Sequence, residues 1–300
     1  MCNLRTQNIH INQSLASLIQ AYFKLTKFRL TSTVAFSSGM GYILAERGQV
    51  DWINLILFLA GGFCITVSAN IINQIIERDS DKLMKRTEAR PLPLGTIGLK
   101  QAIAASVIFL IAGTIILALY STLNALILSL VSLVIYSFIY TPLKTVSPIA
   151  AFIGAFPGAF PPMIGWLAVT GQYGWEPGVL FAIQFLWQFP HFWAIAWVLD
   201  EEYKKANIKL LPTKDGRGKH TATIIMSYTI CLLPIGFLPY IFGMAGITSA
   251  YIALVCGALF FLQTLYLWKE CSVKAALLLM FGSFLYLPIV QIAFVLDKIY

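Results

Sequence analysis

The chain has 300 residues, of which 58% are hydrophobic and only 11% are charged. An ordinary soluble domain carries about 25% charged residues, so this composition excludes a soluble protein and predicts an integral membrane protein. The formal net charge of +8 would suit a nucleic-acid binder, but the positions of the charges argue against that class.

Apolar segments long enough to cross a bilayer recur along the whole chain, since a membrane-spanning helix needs about 20 such residues. They lie too close together for a soluble domain to fit between them, and they lack the short alternating pattern of β-barrel strands. We predict a single polytopic all-α membrane domain over residues 1–300, with nine transmembrane helices at 28–45, 53–76, 99–120, 122–141, 147–169, 176–199, 221–243, 246–268 and 274–296.

The basic residues are distributed unevenly among the loops. With the N-terminus in the cytoplasm, only Arg47 and Lys298 among the 21 Lys and Arg residues lie outside. This asymmetry follows the positive-inside rule and predicts a cytoplasmic N-terminus and an external C-terminus. The N-terminal segment has neither a signal-peptide core nor the arginine content of a mitochondrial presequence. We therefore expect a prokaryotic plasma-membrane protein that contacts lipid and no nucleic acid.

The most polar stretch begins at the end of the second predicted helix. Asn73, Glu77 and Asp81 follow one another at intervals of four residues, which places them on one helix face, about 6 Å apart along the axis. Carboxylates held so close repel each other, and a divalent cation would relieve that repulsion. A few oxygen ligands completed by substrate phosphates are typical of Mg²⁺. The spacing therefore predicts a magnesium site.

Basic residues follow this acidic face directly. Guanidinium groups match the geometry of phosphate, so we interpret the segment as a metal and diphosphate site. The alternative is a helix end that enters the cytosol beside positive-inside charges, and it requires no ligand. The asparagine and the trailing bases favour the first interpretation; these bases are Arg78, Lys82, Lys85, Arg86 and Arg90.

The end of the fourth predicted helix carries Tyr140 and Lys144 on the same side of the membrane. Lys144 is either another positive-inside anchor or a second contact to the diphosphate. Both interpretations place its ammonium group near the membrane surface.

The sixth predicted helix presents Gln184, Gln188 and His191 at helical spacing on one face. A histidine about two turns inside a bilayer is costly unless it faces a cavity or a partner. It is either a hydrogen-bonded structural residue, a metal or haem ligand, or a proton carrier.

A second polar loop, at about 200–220, also begins with acids at a helix end. Asp200, Glu202 and Lys204 lie within its first turn. Their simplest explanation is a solvated face with ion pairs between neighbouring turns. Because both polar loops lie on the same predicted membrane face, we favour one shared site.

Together these motifs resemble the UbiA superfamily of intramembrane prenyltransferases, and within it the branch that farnesylates haem. The superfamily signature Asn-x-x-x-Asp-x-x-x-Asp is matched by Asn73, Glu77 and Asp81, with Glu in the middle place. The second acidic motif lacks the paired aspartates of quinone-type members. Further matches to the haem branch are Met84-x-Arg86-Thr87, Arg90-Pro91, Tyr140–Lys144, the run 158–166, Pro190–Trp193, Glu202-Tyr203 and Leu211-Pro212.

The resemblance implies a helical bundle around a central cavity that binds farnesyl diphosphate and haem B. It implies that Asn73, Glu77 and Asp81 hold Mg²⁺, and that the leaving diphosphate is neutralised by Arg86, Arg90 and Lys144. His191 would orient the haem through its iron or a propionate. A haem-delivery protein or a haem A synthase is an expected partner. Other expected substrate contacts are Lys85, Tyr140, Asp200, Glu202 and Lys204.

Three other functions stay open at this point. One is prenyl transfer to an aromatic or quinone precursor, and another is haem handling without catalysis. The third is secondary transport, but transporters place their intramembrane acids near the middle of the bilayer, whereas these acids cluster at one face.

Overall fold

The structure, a computed structural model, describes residues 15–213 and 215–299. Arg5 and Lys214, which belong to the predicted cytoplasmic charges, lie outside the described residues. Within these ranges the chain is helical almost throughout. Its helices are α1 (Leu15–Leu25), α2 (Phe28–Ala45), α3 (Trp52–Asp81), α4 (Leu99–Tyr120), α5 (Leu123–Val134), α6 (Thr141–Leu143), α7 (Ala150–Thr170), α8 (Trp175–Val198), α9 (Asp200–Lys205), α10 (Lys219–Ile235), α11 (Leu238–Ile241), α12 (Ile247–Glu270) and α13 (Val273–Leu296).

The predicted apolar segments coincide with these helices to within a few residues, except that α3 continues to Asp81. Among the described residues, eight helical segments are long and apolar enough to cross a membrane; six are single helices, and the other two are Leu123–Leu143, which includes α5 and α6, and Lys219–Ile241, which includes α10 and α11. The helix α2 fills the first predicted segment and packs in the bundle against α7 and α3, but its apolar run is interrupted by Thr and Ser residues. The count of nine spans therefore stays a prediction.

One span departs from regular α-helix. Between α5 and α6, residues Ile135–Tyr140 form a π-helical turn, in which hydrogen bonds reach back five residues instead of four. The Thr141 amide N–H accordingly donates to the carbonyl oxygen of Tyr136. This turn directly precedes Thr141 and Lys144, which contribute to the polar site described below.

Glycines bring the backbones of neighbouring helices into direct contact. A Cβ atom at Gly165 in α7 would overlap the carbonyl oxygen of Ser38 in α2, and one at Gly41 would overlap that of Pro162. Gly61 and Gly113 allow the same close approach between α3 and α4. Small residues serve this purpose in membrane helices because the lipid gives no hydrophobic driving force for helix association.

Helix α7 contains three prolines, and side chains from other helices satisfy two of the carbonyls that these prolines release. A proline lacks an N–H, so the carbonyl four residues earlier loses its helical partner. Pro161 releases the Pro157 carbonyl, which accepts from Ser132 Oγ at 3.4 Å. Pro162 releases the Gly158 carbonyl, which accepts from Gln184 Nε2 at 2.7 Å. Such repair is what allows proline inside a membrane helix.

Candidate active site

The three residues predicted to share a face of α3 do so, near its C-terminal end. Asn73, Glu77 and Asp81 are all buried, with only 2%, 7% and 0% of their surfaces exposed. Two carboxylates in such a position would be strongly destabilising without compensating charges or hydrogen bonds. Each of the three side chains accordingly has polar partners from other parts of the chain.

Asn73 connects three segments through its amide group. Its Nδ2 donates to Glu77 Oε1 at 2.6 Å and to Thr141 Oγ1 at 3.0 Å. Its Oδ1 accepts from Lys27 Nζ at 2.7 Å. The Thr141 hydroxyl in turn donates to the Tyr136 carbonyl at 2.7 Å, so the π-helical turn and α3 are joined at this point.

Two cations pair with the two carboxylates. Lys144 Nζ contacts Glu77 Oε1, and Arg90 Nη1 lies 2.6 Å from Asp81 Oδ2. The Thr87 hydroxyl fixes the loop between them by donating to the Asp81 carbonyl oxygen at 2.8 Å. Asp81 Oδ1, although buried, has no hydrogen-bond partner among the described residues. Lys144 and Arg90 thus lie beside the two carboxylates, and their predicted contact with diphosphate stays a prediction.

Lys27 is a site residue that the sequence interpretation counted only as a topology charge. It stands between α1 and α2 in a left-handed conformation, with φ of 46°, and this turn directs it to Asn73. Burial lowers its pKa to about 7; the charges of Arg90 and Lys144 act in the same direction, and Glu77 opposes them. Lys27 differs from the other described lysines in its left-handed backbone conformation, which is rare for lysine. The sequence does not reveal this conformation, so it could not single out Lys27 as a site residue.

The donor set of this site fits a magnesium ion that completes its coordination with phosphate oxygens. It supplies the carboxylates of Glu77 and Asp81 and the amide oxygen of Asn73, and one of these atoms, Asp81 Oδ1, has no partner among the described residues. Among the described residues no group of three or more His, Cys, Asp and Glu side chains is arranged to hold a metal alone. Mg²⁺ commonly binds through one or two carboxylates plus substrate phosphates, so the smaller set is sufficient.

Two of the predicted bases lie away from this buried cluster. Lys85 and Arg86 are both exposed on the loop that follows α3. Burial raises the pKa of the Tyr203 phenol, and the nearby charge of Arg86 acts in the opposite direction. The structure therefore places Arg86 at the rim of the site and gives Lys85 no contact with the cluster.

The acids of the second loop are occupied locally. Asp200 Oδ2 lies 2.8 Å from Lys204 Nζ and 3.6 Å from the Arg217 guanidinium, and the hydrogen bond to Asp200 raises the pKa of Lys204. Lys204 is exposed. This matches the simpler explanation, ion pairs on a solvated face. Glu202 differs, because its Oε2 is buried without a hydrogen-bond partner among the described residues.

The two polar loops nevertheless meet, as predicted. Met84 from the first loop is buried against Ala206 and Ile208 from the second, with Tyr203 alongside. The Lys209 amide also donates to the Lys144 carbonyl oxygen at 2.8 Å. The loops thus form a packed layer beside the charged cluster.

A cavity of about 360 Å³ lies inside the bundle, and it is lined by Asn70, one helical turn before Asn73, and by Tyr140, next to Thr141. Its wall includes Asn70, Tyr140 and His191 at the end near the cluster, and Phe58 and Gln291 at the opposite end. Along α3, Asn70 and Phe58 are separated by about 18 Å of helix rise. The cavity volume lies within the usual range for ligand pockets, about 300–1,000 Å³.

His191 lies in the wall of this cavity, buried but held by neighbours. Its Nδ1 is 2.8 Å from Ser283 Oγ. Its ring stacks on Trp187 at a centroid distance of 4.5 Å, and Phe284 approaches it edge-on at 5.0 Å. The structure therefore gives His191 a hydrogen-bonded position that also faces the cavity.

A polytopic helical bundle with a buried cluster of charged side chains beside a largely apolar cavity is the architecture expected of a membrane protein that handles an amphiphilic phosphate. The UbiA prenyltransferase family matches residues 34–287. A protoheme IX farnesyltransferase from Cytophaga hutchinsonii is 87% identical over 95% of this chain and 100% of its own length.

Two solved structures share the fold. A digeranylgeranylglyceryl phosphate synthase covers 93% of this chain and 98% of its own, with a TM-score of 0.78 at 24% identity. A UbiA homologue from Archaeoglobus fulgidus, bound to DMAPP and Mg²⁺, covers 91% and 98% with a TM-score of 0.68 at 16% identity. The chain belongs to the UbiA prenyltransferase family.

Proposed function

We propose that this protein transfers the farnesyl group of farnesyl diphosphate to a vinyl group of haem B, with release of diphosphate and formation of haem O. The observation that carries the proposal is the 87% identity, over the full length of the relative, to a protoheme IX farnesyltransferase. The residues needed for such chemistry also lie together in one buried cluster at the mouth of an apolar cavity.

In this proposal the diphosphate binds among Lys27, Arg90 and Lys144, while the farnesyl chain enters the cavity. Arg90 and Lys144 balance the carboxylates Asp81 and Glu77. Lys27, whose pKa is lowered to about 7, would take up a proton as the diphosphate binds, so the cluster is suited to bind an anion. Departure of diphosphate develops negative charge, and cations fixed in a poorly solvated site stabilise it more than water would. The aromatic wall of the cavity, which includes Tyr136 and Tyr140, is suited to the allylic cation because aromatic faces attract positive charge.

Asn73, Glu77 and Asp81 would hold Mg²⁺, which would neutralise part of the diphosphate charge when bound. The related protein from Archaeoglobus fulgidus was solved with DMAPP and Mg²⁺, which supports this choice of ion. The ion pairs with Lys144 and Arg90 would then open, leaving both cations to face the diphosphate. Arg86 would contribute from the rim. We assign substrate contacts to Tyr140 and His191, which line the cavity, and to Glu202, whose buried Oε2 has no partner among the described residues. Substrate contacts of Lys85, Asp200 and Lys204 stay predictions from the sequence, because the structure places these residues away from the cluster.

The protein is a multi-pass membrane protein, and we propose that its charged end faces the cytoplasm of a bacterial cell. The C-terminus would then lie outside. A haem-delivery protein or a haem A synthase as partner remains a prediction. The concentration of basic residues at the charged end of the bundle supports this orientation.

The direct test uses purified protein in detergent with farnesyl diphosphate, Mg²⁺ and one of three acceptors. We expect farnesylated haem by mass spectrometry with haem B, and no prenylated product with 4-hydroxybenzoate or dihydroxynaphthoate. Prenylation of an aromatic acid without farnesylated haem would assign the chain to a quinone pathway instead. No product with any acceptor would favour haem handling without catalysis.

A further inference from the structure

Gln188 is a buried polar side chain without a partner in the part of the chain that the structure describes. Only 4% of its surface is exposed, it lines the cavity, and its amide forms no hydrogen bond with any described residue. Its side-chain amide packs against Gly158 in α7, and a Cβ atom at position 158 would collide with Gln188 Nε2. A buried amide left unpaired is costly, so this position calls for a ligand in the cavity.

His191 presents a second unused polar atom to the same space. The Ser283 hydroxyl donates its only hydrogen to the Met280 carbonyl at 2.6 Å. Its oxygen must then accept from His191 Nδ1, which fixes the tautomer with the proton on Nδ1. Nε2 therefore carries a free lone pair. Stacking on Trp187, whose Nε1 donates to the Ser283 carbonyl at 3.0 Å, holds the ring in place.

Gln188 and His191 are three residues apart on α8, so their side chains are neighbours on one helix face. Both line the cavity in a wall that is otherwise mostly apolar. A buried water needs two to four polar partners. The amide of Gln188 and Nε2 of His191 supply two of them, and a reacting acceptor supplies the third contact.

We propose that Gln188 and His191 bind the water that completes the reaction, with His191 as its general base. This inference rests on the proposed function. The C–O bond of farnesyl diphosphate breaks and its electron pair leaves with diphosphate. The vinyl π pair forms the new C–C bond, which leaves a carbocation beside the porphyrin ring. The water oxygen then forms a C–O bond to that carbon, and one water proton passes to Nε2 and from there to solvent.

Without a positioned water, the same carbocation would lose a proton and give an alkene. The two products differ by the mass of one water molecule. Their ratio reports on the water alone, because both arise after the farnesyl group has been transferred. A variant that folds less well or turns over more slowly still gives an interpretable ratio.

The experiment measures this ratio by mass spectrometry for Gln188→Met and His191→Phe in full-length protein, supplied with haem B and farnesyl diphosphate. We expect the alkene fraction to rise about tenfold in each, the effect of one lost hydrogen bond. Ser37→Ala is the matched control, since Ser37 is polar and lines the same cavity but bonds to Gln184. Its ratio should equal that of the unchanged protein.

An unchanged ratio in both test variants would overturn the inference. If His191→Phe also shifted the Soret band of bound haem without changing the ratio, His191 would instead be an iron ligand. If the unchanged protein formed no farnesylated haem, the proposed function itself would fail and this inference with it. Farnesylated haem with an unaltered ratio would refute only the role of the water site.

Discussion

The Asp81 carboxylate is fully buried and contacts Arg90 through one oxygen, while the other has no hydrogen-bond partner within residues 15–213 and 215–299. The sequence shows no structural partner for this acid, but the structure does. Replacing it with alanine would leave Arg90 without its counter-charge, and breaking a buried pair in this way costs about 3–5 kcal/mol. A shape-conserving substitution is therefore the better test of its role with metal.

For Asp81→Asn we expect farnesyl transfer to fall by roughly a hundredfold or more. The melting temperature should fall less than in Asp81→Ala, because the amide oxygen can still accept from Arg90 although the counter-charge is lost. Turnover measured against Mg²⁺ concentration checks this. Asp79→Asn is the control, since Asp79 is on the same helix but exposed and pairs only with Arg78 and Lys82. Normal turnover of Asp81→Asn at saturating Mg²⁺ would remove Asp81 from the metal site.

Arg90→Lys should also damage activity although it keeps the charge. Arg90 contacts Asp81 through Nη1 alone, so the rest of its planar guanidinium can bind phosphate, which a lysine ammonium cannot imitate. We expect a higher KM for farnesyl diphosphate and a lower kcat. The control is Arg78→Lys on the exposed face of α3. If steady-state kinetics of Arg90→Lys were unchanged, Arg90 would be only a topology charge.

For individual residues, the sequence predicts the arrangements that follow from helical periodicity. It does not predict contacts between residues from separate parts of the chain. Asn73, Glu77 and Asp81 share a face because their spacing requires it. Lys27 reaches Asn73 because the chain turns at this residue between α1 and α2. No local sequence pattern predicts that turn. Asp200 and Lys204 were included in the site by their charge, but they form the local ion pair that their four-residue spacing also allowed. Asp200 faces Arg217 as well, which comes from further along the loop.

Among the helices, the tightest constraint is the contact between α2 and α7. Gly165→Ala should force these backbones apart, since the new methyl group meets the Ser38 carbonyl and no flexible side chain. Overpacking of this kind costs about 1–3 kcal/mol, and we expect a clearly lower melting temperature in detergent. Gly178→Ala in α8 is the control, because nothing lies within 4 Å of its Cβ position. Equal melting temperatures would contradict the close approach.

The helices themselves were predictable because membrane thickness sets the length of each apolar run. The ends of α2 and α4 fall where the pattern places them. The π-helical turn was not predictable, since its residues, Ile135–Tyr140, include no glycine or proline that would mark an irregular backbone. The hydrogen bond between Asn73 and Thr141 at its end joins two helices that meet only in the folded bundle.

For the molecule as a whole, the proposed orientation can be tested by labelling. The loop after α3 lies at the charged end and the loop after α7 at the other, because α7 begins beside Lys144 and runs away from it. In a variant lacking the five natural cysteines, we expect an impermeant maleimide to label Tyr173→Cys in intact spheroplasts. Lys82→Cys should react only after permeabilisation. The reverse pattern would invert the topology.

The π-helical turn gives its span one residue more than a regular α-helix of the same height. The turn should therefore tolerate the deletion of one residue. Deleting Phe138, which faces outward from the turn, should let the segment close into ordinary α-helix while Thr141 and Lys144 keep their direction. Deleting the equally outward Ile127 in α5 should instead rotate everything beyond it by about 100°. Melting temperatures of the two deletion variants should therefore differ, with only the Phe138 deletion near that of the full chain.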